Sequence, residues 1–271
     1  MKEISVQEAI QLRKIILGEF DNFCKLNNIQ YSLGYGTLLG AIRHKDMIPW
    51  DDDIDVVVLR SEFDKLETLS QNGGFDGERF TFVTHRTNPE IKTKIGYYMD
   101  TTTVTCISGE QQPFGVHIDI FPMDALPENV LTKALLLCRR KFLHCVIKAN
   151  GLHPQVHTGM KKYIRQFIKF FGLMFNVDRC IDRLNRISKN SNYEKINEKD
   201  GWVLVETGAV GNIPMRVFDE YSEYEYADKK YMGINDSDVC LKAWYGDYMT
   251  PPKPEHQVLY VNPNVKYYWK N

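Results

Sequence analysis

The sequence feature that most limits what this chain can fold into is an acidic segment that runs directly into a β-branched one. Ile48-Pro-Trp-Asp-Asp-Asp-Ile-Asp55 is followed by Val56-Val-Val-Leu59, with no polar spacer. A nearly continuous β-branched run is typical of a central, buried strand. We therefore predict a strand over 54–59 that carries carboxylates at its mouth. Asp53 and Asp55, two residues apart, are expected to project from the same face.

Carboxylates packed this closely repel one another, and a divalent cation removes that conflict. Oxygen ligands with room for water and phosphate favour Mg²⁺, with Mn²⁺ as the second choice, over zinc. The alternating segment Gly115–Phe121 predicts another strand, with Asp119 on its polar face. If that strand is a neighbour of the first, Asp119 becomes the third ligand beside Asp53 and Asp55.

Two other interpretations of the acidic segment stay open. An Asp-rich stretch beside a proline is in general most often a solvated loop, although a carboxylate at the mouth of a buried strand has little structural purpose. The spacing of Asp51, Asp53, Asp55 and Glu62 also matches a calcium-binding loop. Val56 stands where that loop requires glycine, which disfavours the calcium interpretation.

A glycine-rich turn precedes the acidic segment. Gly34-Tyr-Gly-Thr-Leu-Leu-Gly40 is predicted to join a short strand over 29–33 to a helix over 38–43. Such a turn exposes backbone N–H groups at the positive end of a helix dipole, which is a ready anion site. Gly36 and Thr37 are therefore candidate phosphate-binding residues, and Arg43 and His44 can meet further phosphate charge. The alternatives are a plain strand–helix turn and exposed loop cations.

The remaining periodicities predict an α+β fold, in which a mixed sheet is flanked by helices and carries a helical insertion or appendage. Capping patterns begin helices over 6–27 and 61–69, and further helices are expected over 130–150 and 160–190. Short β-rich runs occupy 79–85, 91–99 and 102–107. We predict a catalytic core over 1–127, a basic helical region over 128–200, and a segment over 201–271 that packs back on the core.

Composition excludes several classes of protein. With 34 Lys and Arg against 35 Asp and Glu, and 43% hydrophobic residues, the chain is an ordinary globular protein. No apolar run approaches the length that spans a bilayer, the N-terminus lacks the apolar region of a secretion signal, and the six cysteines include no Cys-x-x-Cys pair. These features predict a cytoplasmic protein without a disulfide scaffold.

The charge is unevenly distributed along the chain. From Asn129 to Val177 there are nine basic residues and no acidic one. Such a block, rich in Leu, Phe and Ile, suits an anionic surface, although a solvated basic helix face is the alternative. It lacks the motif chemistry of nucleic-acid binding, so no nucleic-acid partner is expected.

Three segments resemble the motifs of the LicD/fukutin group, which has a nucleotidyltransferase-like fold. The first is the long run Tyr31–Asp55, and the later ones are His117-Ile-Asp-Ile-Phe-Pro122 and Tyr245-Gly-Asp-Tyr-Met-Thr-Pro-Pro252. The resemblance implies a phosphotransferase that moves a phospho-alcohol, typically phosphocholine, from a CDP-activated donor to a sugar of a cell-surface glycan and releases CMP. Teichoic acid, lipopolysaccharide and capsule are the implied acceptor types.

The resemblance also assigns residues. It implies that Asp53 and Asp55 hold Mg²⁺ with Asp119 as third carboxylate, and that Gly36 and Thr37 cradle phosphate. Lys94 falls where the group tends to carry a basic residue. Two positions depart from the pattern, since Tyr35 replaces a glycine and Gly96 replaces a second basic residue. In the mechanism that follows, Asp119 takes the sugar hydroxyl proton, with Asp51 as the alternative base.

Other functions remain open from the sequence. A nucleotidyltransferase that moves NMP to a small acceptor would release pyrophosphate instead of CMP. A glycosyltransferase with an Asp-x-Asp motif is disfavoured, because its expected nucleotide-binding first domain does not precede the motif. A non-catalytic nucleotide- or metal-binding module is the last alternative. If the protein is the transferase, the basic residues of 129–177 would suit docking to a lipid-linked glycan acceptor at the inner face of the cell membrane.

Overall fold

The structure is a computed structural model that describes residues 1–75, 77–127, 129–150, 170, 174–189, 202–204, 213–259 and 261–270. Within these ranges, helices and mixed sheets together confirm the predicted α+β class. The α-helices are α1 Val6–Leu26, α2 Tyr35–Arg43, α3 Arg60–Gln71, α4 Val130–Asn150, α5 Val177–Lys189 and α6 Ser237–Tyr245. In the described part of the chain, no helix has the length and hydropathy needed to cross a membrane.

The strands fall into a central sheet, a second sheet and a hairpin. In chain order they are β1 Lys2–Ile4, β2 Ser32–Leu33, β3 Asp55–Leu59, β4 Phe80–Val83, β5 Gly96–Asp100, β6 Thr103–Ile107, β7 Glu110–Gln111, β8 His117–Leu126, β9 Trp202–Leu204, β10 Ile213–Pro214, β11 Tyr221–Tyr226, β12 Lys229–Ile234 and β13 Val265–Trp269. The long strand β8 organises the central sheet, because β3 pairs with it in parallel while β5 and β9 pair with it antiparallel.

The central sheet buries the β-branched run that the sequence predicted. Val56, Val57 and Val58 are almost completely inaccessible to solvent, and so are Ile118 and Ile120 on β8. Helices α1 and α3 contribute rings to the same core: Phe20 meets Tyr98 at 5.2 Å, and Phe63 meets Phe82 at 5.5 Å. The sheet is thereby held rigid at the strand ends where the acidic residues lie.

The C-terminal part of the chain pairs with the N-terminal part. Strand β13 lies between β1 and β6, and Lys2 is the register partner of Trp269. The hairpin β11–β12 is tied to β2, where Ile234 N–H donates to Ser32 Oγ at 3.0 Å. The proposed division at 127 and 200 stays a prediction.

A buried ion-pair group connects α4 to the core. Arg60 Nε donates to Asp124 Oδ1 at 2.7 Å, and Arg140 Nη1 of α4 reaches Asp124 Oδ2 at 3.2 Å. Burial alone would raise the pKa of Asp124, but the two arginines outweigh it and hold the pKa below its ordinary value. Because Asp124 belongs to β8, the helical region is attached to the strand that also carries Asp119.

Several predicted boundaries are wrong. The glycine turn is the first turn of α2, which begins at Tyr35 rather than at residue 38, and only Ser32–Leu33 of 29–33 forms a strand. Helix α3 begins at Arg60, so Ser61 lies inside its first turn and is not the N-cap. In contrast, the capping box of Ser5 and Glu8 is confirmed. Of the helix predicted over 160–190, Val177–Lys189 is helical, and most of 160–176 lies outside the described residues.

Candidate active site

Two adjacent parallel strands place the acidic residues side by side. Asp55 at the start of β3 is the register partner of Asp119 on β8. Asp119 N–H donates to Ile54 O at 2.9 Å, which fixes the pairing at that end of the strands. The Asp119 side chain is 27% exposed, so it is shielded but still open to a ligand. Asp51 and Asp53 precede β3 directly, outside the strand itself.

These four residues, Asp51, Asp53, Asp55 and Asp119, form one electrostatic group, called the carboxylate cluster below. Burial, followed by the charge of Asp53, raises the pKa of both Asp51 and Asp119 to about 7. The pKa of Asp55 is also raised, by burial first and then by the charges of Asp53, Asp119 and Asp51. The cluster therefore binds protons that isolated carboxylates would lose, and it has a strong affinity for positive charge.

Of the predicted ligands, only Asp53 belongs to the group of described carboxylates whose oxygens come close enough together to hold one ion. Among the described residues, one oxygen from each of Asp51, Asp52 and Asp53 lies within 4.8 Å of the other two. Asp52, which was not predicted, also donates its backbone N–H to Asp51 Oδ1 at 3.1 Å. An all-carboxylate donor set fits a hard divalent cation such as Mg²⁺ or Mn²⁺.

The first turn of α2 positions the acidic segment. Gly34 N–H donates to Asp55 O at 2.9 Å, and Asp55 N–H donates to Thr37 Oγ1 at 2.8 Å. Thr37 is buried, so its hydroxyl oxygen holds the Asp55 backbone in this structure. A Cβ on Gly36 would lie 2.6 Å from Asp51 Oδ2, and therefore only glycine lets the Asp51 carboxylate approach the positive end of α2.

Tyr35, which replaces a glycine of the related motif, keeps a left-handed backbone with φ of +40°. This conformation is costly for a residue with a Cβ. The Tyr35 ring is held by Phe121 at 5.1 Å and Trp244 at 4.7 Å between ring centroids. Packing of the Tyr35 ring against β8 and α6 thus stabilises the positive φ at this residue.

Arg43 and His44 connect the acidic segment to the C-terminal motif. Arg43 Nη1 donates to Tyr248 O at 2.7 Å, and its guanidinium carbon lies 5.9 Å from the centre of the Trp50 ring. The His44 ring meets Trp50 edge-on at 5.8 Å. Burial raises the pKa of Tyr245, and the charge of Asp55 adds to the effect, so this motif lies within electrostatic reach of the cluster.

Lys94 is placed against the helical region. Its ammonium lies 2.5 Å from Nδ1 of His144 on α4, and burial, followed by the charge of Lys94, lowers the pKa of His144 to about 3. The neutral imidazole can therefore accept a hydrogen bond from Lys94. Gly96, two residues later, faces the core, since a Cβ there would lie 2.3 Å from Phe82 Cε2. A basic side chain at 96 would have no space on that face.

Arg13 is a site residue that the sequence analysis missed. It is 5% exposed on α1, and its Nη2 donates to the Tyr267 hydroxyl at 2.7 Å. Its positive charge opposes the upward pKa shifts of Asp52 and Asp119, so the guanidinium lies within electrostatic range of both carboxylates. The signal was present: Arg13 lies three residues after Ile10 and three before Ile16, on the buried face of the helix.

His117 is the first residue of the second motif, and no role was predicted for it. Its Nε2 lies 3.5 Å from Asp119 Oδ1, while Nδ1–H donates to Gly115 O at 2.7 Å. Burial lowers the pKa of His117 to about 4, so the ring is neutral near pH 7. Tyr97 stacks on it at 4.1 Å between ring centroids. The pair forms an aromatic wall beside Asp119.

Comparison with known proteins agrees with the motifs. Residues 28–156 match the family model described as LicD/FKTN/FKRP, nucleotidyltransferase domain. The chain is 27% identical to the lipopolysaccharide cholinephosphotransferase LicD of Haemophilus influenzae over 267 residues, which cover 95% of this chain and 96% of that protein. An uncharacterised protein of Rickettsia prowazekii is 39% identical over 66 residues, 24% of each chain.

The family match spans α2, β3 and the strand β8, and therefore includes every residue of the carboxylate cluster. The match ends at residue 156, shortly after the end of α4. Residues 28–156 are therefore similar to the LicD/FKTN/FKRP nucleotidyltransferase domain, and the similarity to the cholinephosphotransferase extends over nearly the whole of both chains.

Proposed function

We propose that this protein transfers a phospho-alcohol, with phosphocholine as the first candidate, from a CDP-activated donor to a sugar hydroxyl of a cell-surface glycan. The observation that carries the proposal is the carboxylate cluster, in which Asp55 and Asp119 are register partners and Asp51 and Asp53 share their repulsion. The similarity to a lipopolysaccharide cholinephosphotransferase supports choline as the alcohol and a lipopolysaccharide-type acceptor. Teichoic acid and capsule are the alternative acceptors.

The cluster fits Mg²⁺ or Mn²⁺, because it offers several ionised oxygens and no sulfur or imidazole ligand of its own. We propose Asp53, Asp55 and Asp119 as its ligands, and the proximity of oxygens adds Asp51 and Asp52 as candidates. A bound cation would neutralise the charge that builds up on the donor diphosphate and on the leaving phosphate.

The transfer itself exchanges one P–O bond for another. The sugar oxygen attacks the phosphorus that bears the alcohol, the bond from that phosphorus to the bridging oxygen breaks, and CMP departs with the electron pair. Asp119 is the proposed acceptor of the hydroxyl proton, with Asp51 as the alternative. Without a cation the pKa of each residue is about 7, and a bound divalent cation would lower it, so that either carboxylate would be ionised near neutral pH and able to accept the proton.

The positive side chains around the cluster have a complementary role. Arg13 is buried and its charge acts on Asp119, while the charge of Arg43 acts on Tyr245. We propose that Arg13, Arg43 and His44 bind the donor phosphates, and that Gly36 takes part by leaving the first turn of α2 open on the side where Asp51 Oδ2 lies in this structure. Thr37 and Lys94 complete the proposed set of phosphate-binding residues. Thr37 Oγ1 accepts a hydrogen bond from Asp55 N–H, and the Lys94 ammonium contacts His144 on α4.

We further propose that the protein works in the cytoplasm, peripherally at the inner face of the cell membrane, on an acceptor that is lipid-linked. The donor is a CDP-alcohol, and the basic residues of 129–177 would face the anionic surface. Four of these, Lys161, Lys162, Arg165 and Lys169, lie outside the described residues. No nucleic acid is involved in this proposal.

The test is to identify the leaving product. Purified protein is incubated with CDP-choline, CDP-ethanolamine, CDP-glycerol or CDP-ribitol, a glycan acceptor and Mg²⁺, and CMP and pyrophosphate are both measured. We expect CMP, and a loss of about 100-fold or more in Asp53→Asn and Asp55→Asn. The exposed Asp228 supplies a matched control, since Asp228→Asn should retain the wild-type rate. CMP release at the wild-type rate by folded Asp55→Asn protein would end the proposal.

A second candidate is favoured by the wording of the family model, which describes a nucleotidyltransferase domain. In that case the protein would move NMP to a small acceptor and release pyrophosphate from a nucleoside triphosphate. The same product analysis separates the two reactions. Nucleotide binding by calorimetry, with neither product formed on any donor, would indicate a non-catalytic module instead.

A further inference from the structure

A groove between α4 and α5 lies outside the candidate active site. Its volume is about 770 Å³, and ten residues line it, among them Leu135, Arg139, Arg179, Asp182, Arg183 and Arg186. Four of these ten residues are arginines and one is acidic. On α5 the arginines follow a spacing of four and three residues, which places them on one helix face.

The four arginines carry charge that no ion pair among the described residues neutralises. Within the ranges that the structure describes, Arg139, Arg179, Arg183 and Arg186 are exposed and have no carboxylate at ion-pair distance. Neighbouring basic residues differ: Arg140 pairs with Asp124, and Lys189 pairs with Asp64. The charge of the groove is thus available to an anionic partner.

Exposed apolar side chains adjoin the same groove. Val130, Leu131 and Leu135 in the first turns of α4 are 78%, 80% and 58% exposed. Leu131, Leu135 and Arg139 are four residues apart, so they follow one face of the helix. Aliphatic side chains exposed to this degree beside cations are typical of a surface that enters the boundary between lipid headgroups and acyl chains.

We propose that the α4–α5 groove is a docking site for an anionic lipid layer. The four arginines bind phosphate headgroups, while Val130, Leu131 and Leu135 enter the apolar boundary of the layer. An anion without an apolar part would leave these three side chains in water, and a neutral apolar partner would leave the arginines unpaired. Three of the arginines lie on α5, beyond the basic block 129–177.

The position of the groove connects docking to the active site. Arg140 ties α4 to Asp124 on β8, the strand that carries Asp119. A membrane bound at the groove would therefore hold the carboxylate cluster at a defined distance and orientation from the lipid surface. Docking at this groove rests on the membrane association put forward in the proposed function and names the surface that makes it, but it requires no chemistry at the cluster.

The test is flotation of the full chain with vesicles of phosphatidylcholine alone and with vesicles in which a third of the lipid is phosphatidylglycerol. We expect binding to the anionic vesicles only, weakened by salt. Replacing all four groove arginines by glutamine should reduce binding on the order of 100-fold or more. Leu131→Ser combined with Leu135→Ser should also reduce binding, at unchanged net charge.

The matched control removes four positive charges elsewhere, through glutamine at exposed positions Lys2, Lys230, Lys253 and Lys270. This control should bind like the wild type, and circular dichroism should show that every variant is folded. Equal binding to neutral vesicles, retained binding by the arginine variant, or equal loss in the control would overturn the proposal. So would tight binding of soluble dextran sulfate combined with no effect of the leucine substitutions, which would indicate a polyanion site.

The assay contains no CDP-alcohol, so its outcome is independent of the transferase proposal. A protein that releases CMP but ignores anionic vesicles would refute the membrane association and leave the proposed reaction standing. A protein that docks but releases no CMP would refute the proposed reaction alone.

Discussion

Removing one charge from the carboxylate cluster should raise the free energy of unfolding, whereas removing a native carboxylate that is paired with a cation usually lowers it. In Asp119→Asn, one member of the cluster becomes neutral and keeps its shape. Without a divalent cation, we expect this variant to be more stable than the wild type at pH 8, and we expect the difference to shrink steadily as the pH falls towards 4. The reason is that folding forces repelling carboxylates together, and a neutral amide removes part of that repulsion.

The magnitude follows from the pKa of Asp119, which burial and the charge of Asp53 raise from 3.8 to about 7. Three pH units correspond to about 4 kcal/mol above both pKa values. Because the other carboxylates relax when one charge is lost, we expect about 2 kcal/mol for the single substitution. The native state binds the extra proton, so wild-type stability falls as the pH rises from about 4 to about 7.

The assay is urea denaturation in EDTA at pH 5, 6, 7 and 8, repeated with Mg²⁺. Asp124→Asn is the matched control, since Arg60 and Arg140 hold the pKa of that buried carboxyl below its ordinary value. It should destabilise the protein at every pH in this range. Mg²⁺ should stabilise the wild type more than Asp119→Asn. If Asp119→Asn lowered stability at pH 8 in EDTA, the described repulsion would not exist.

Three further substitutions test separate contacts. Gly96→Ala would place a methyl group 2.3 Å from Phe82 Cε2, and thermal denaturation should show a loss of about 1–3 kcal/mol. Gly36→Ala would push Asp51 away from α2, so Mn²⁺ affinity measured by electron paramagnetic resonance should fall on the order of tenfold while the melting temperature changes little. Arg13→Gln should raise the KM for CDP-choline about tenfold or more, and an unchanged KM would remove Arg13 from the phosphate site.

Local sequence patterns predicted the elements that carry the acidic residues, because those elements are encoded by nearby residues. The valine run of β3 and the alternation of β8 are short-range signals, and the capping box of Ser5 and Glu8 marks the start of α1. The adjacency of Asp55 and Asp119 was inferred from their shared chemistry, and the register of β3 and β8 places them opposite one another.

The misplaced start of α2 has a specific cause. Glycines at 34 and 36 favour a turn when local propensity alone is considered. In the structure, Gly36 lies within the helix, and a glycine is required there because the Asp51 carboxylate occupies the space of a Cβ. Tyr35 is held at positive φ by its ring contacts with Phe121 and Trp244. Both constraints come from distant parts of the chain, which local propensity does not include.

Long-range contacts also explain what the sequence analysis left out. Arg13 joins the acidic residues only because α1 packs beside them, and its partner Tyr267 lies on β13 at the other end of the chain. The groove arginines of α5 follow a helical spacing, but their meeting with Arg139 depends on how α4 and α5 pack together. Neither arrangement has a local sequence signature.

In the proposed function, the clustered carboxylates hold a divalent cation that the CDP-alcohol reaction requires. The most direct measurement is Mn²⁺ binding by electron paramagnetic resonance, with and without CDP-choline, in the wild type, Asp55→Asn and the exposed control Asp228→Asn. We predict saturable Mn²⁺ binding that CDP-choline strengthens in the wild type and the control, and its loss in Asp55→Asn. Undiminished Mn²⁺ affinity in folded Asp55→Asn protein, or no response to CDP-choline, would contradict the account.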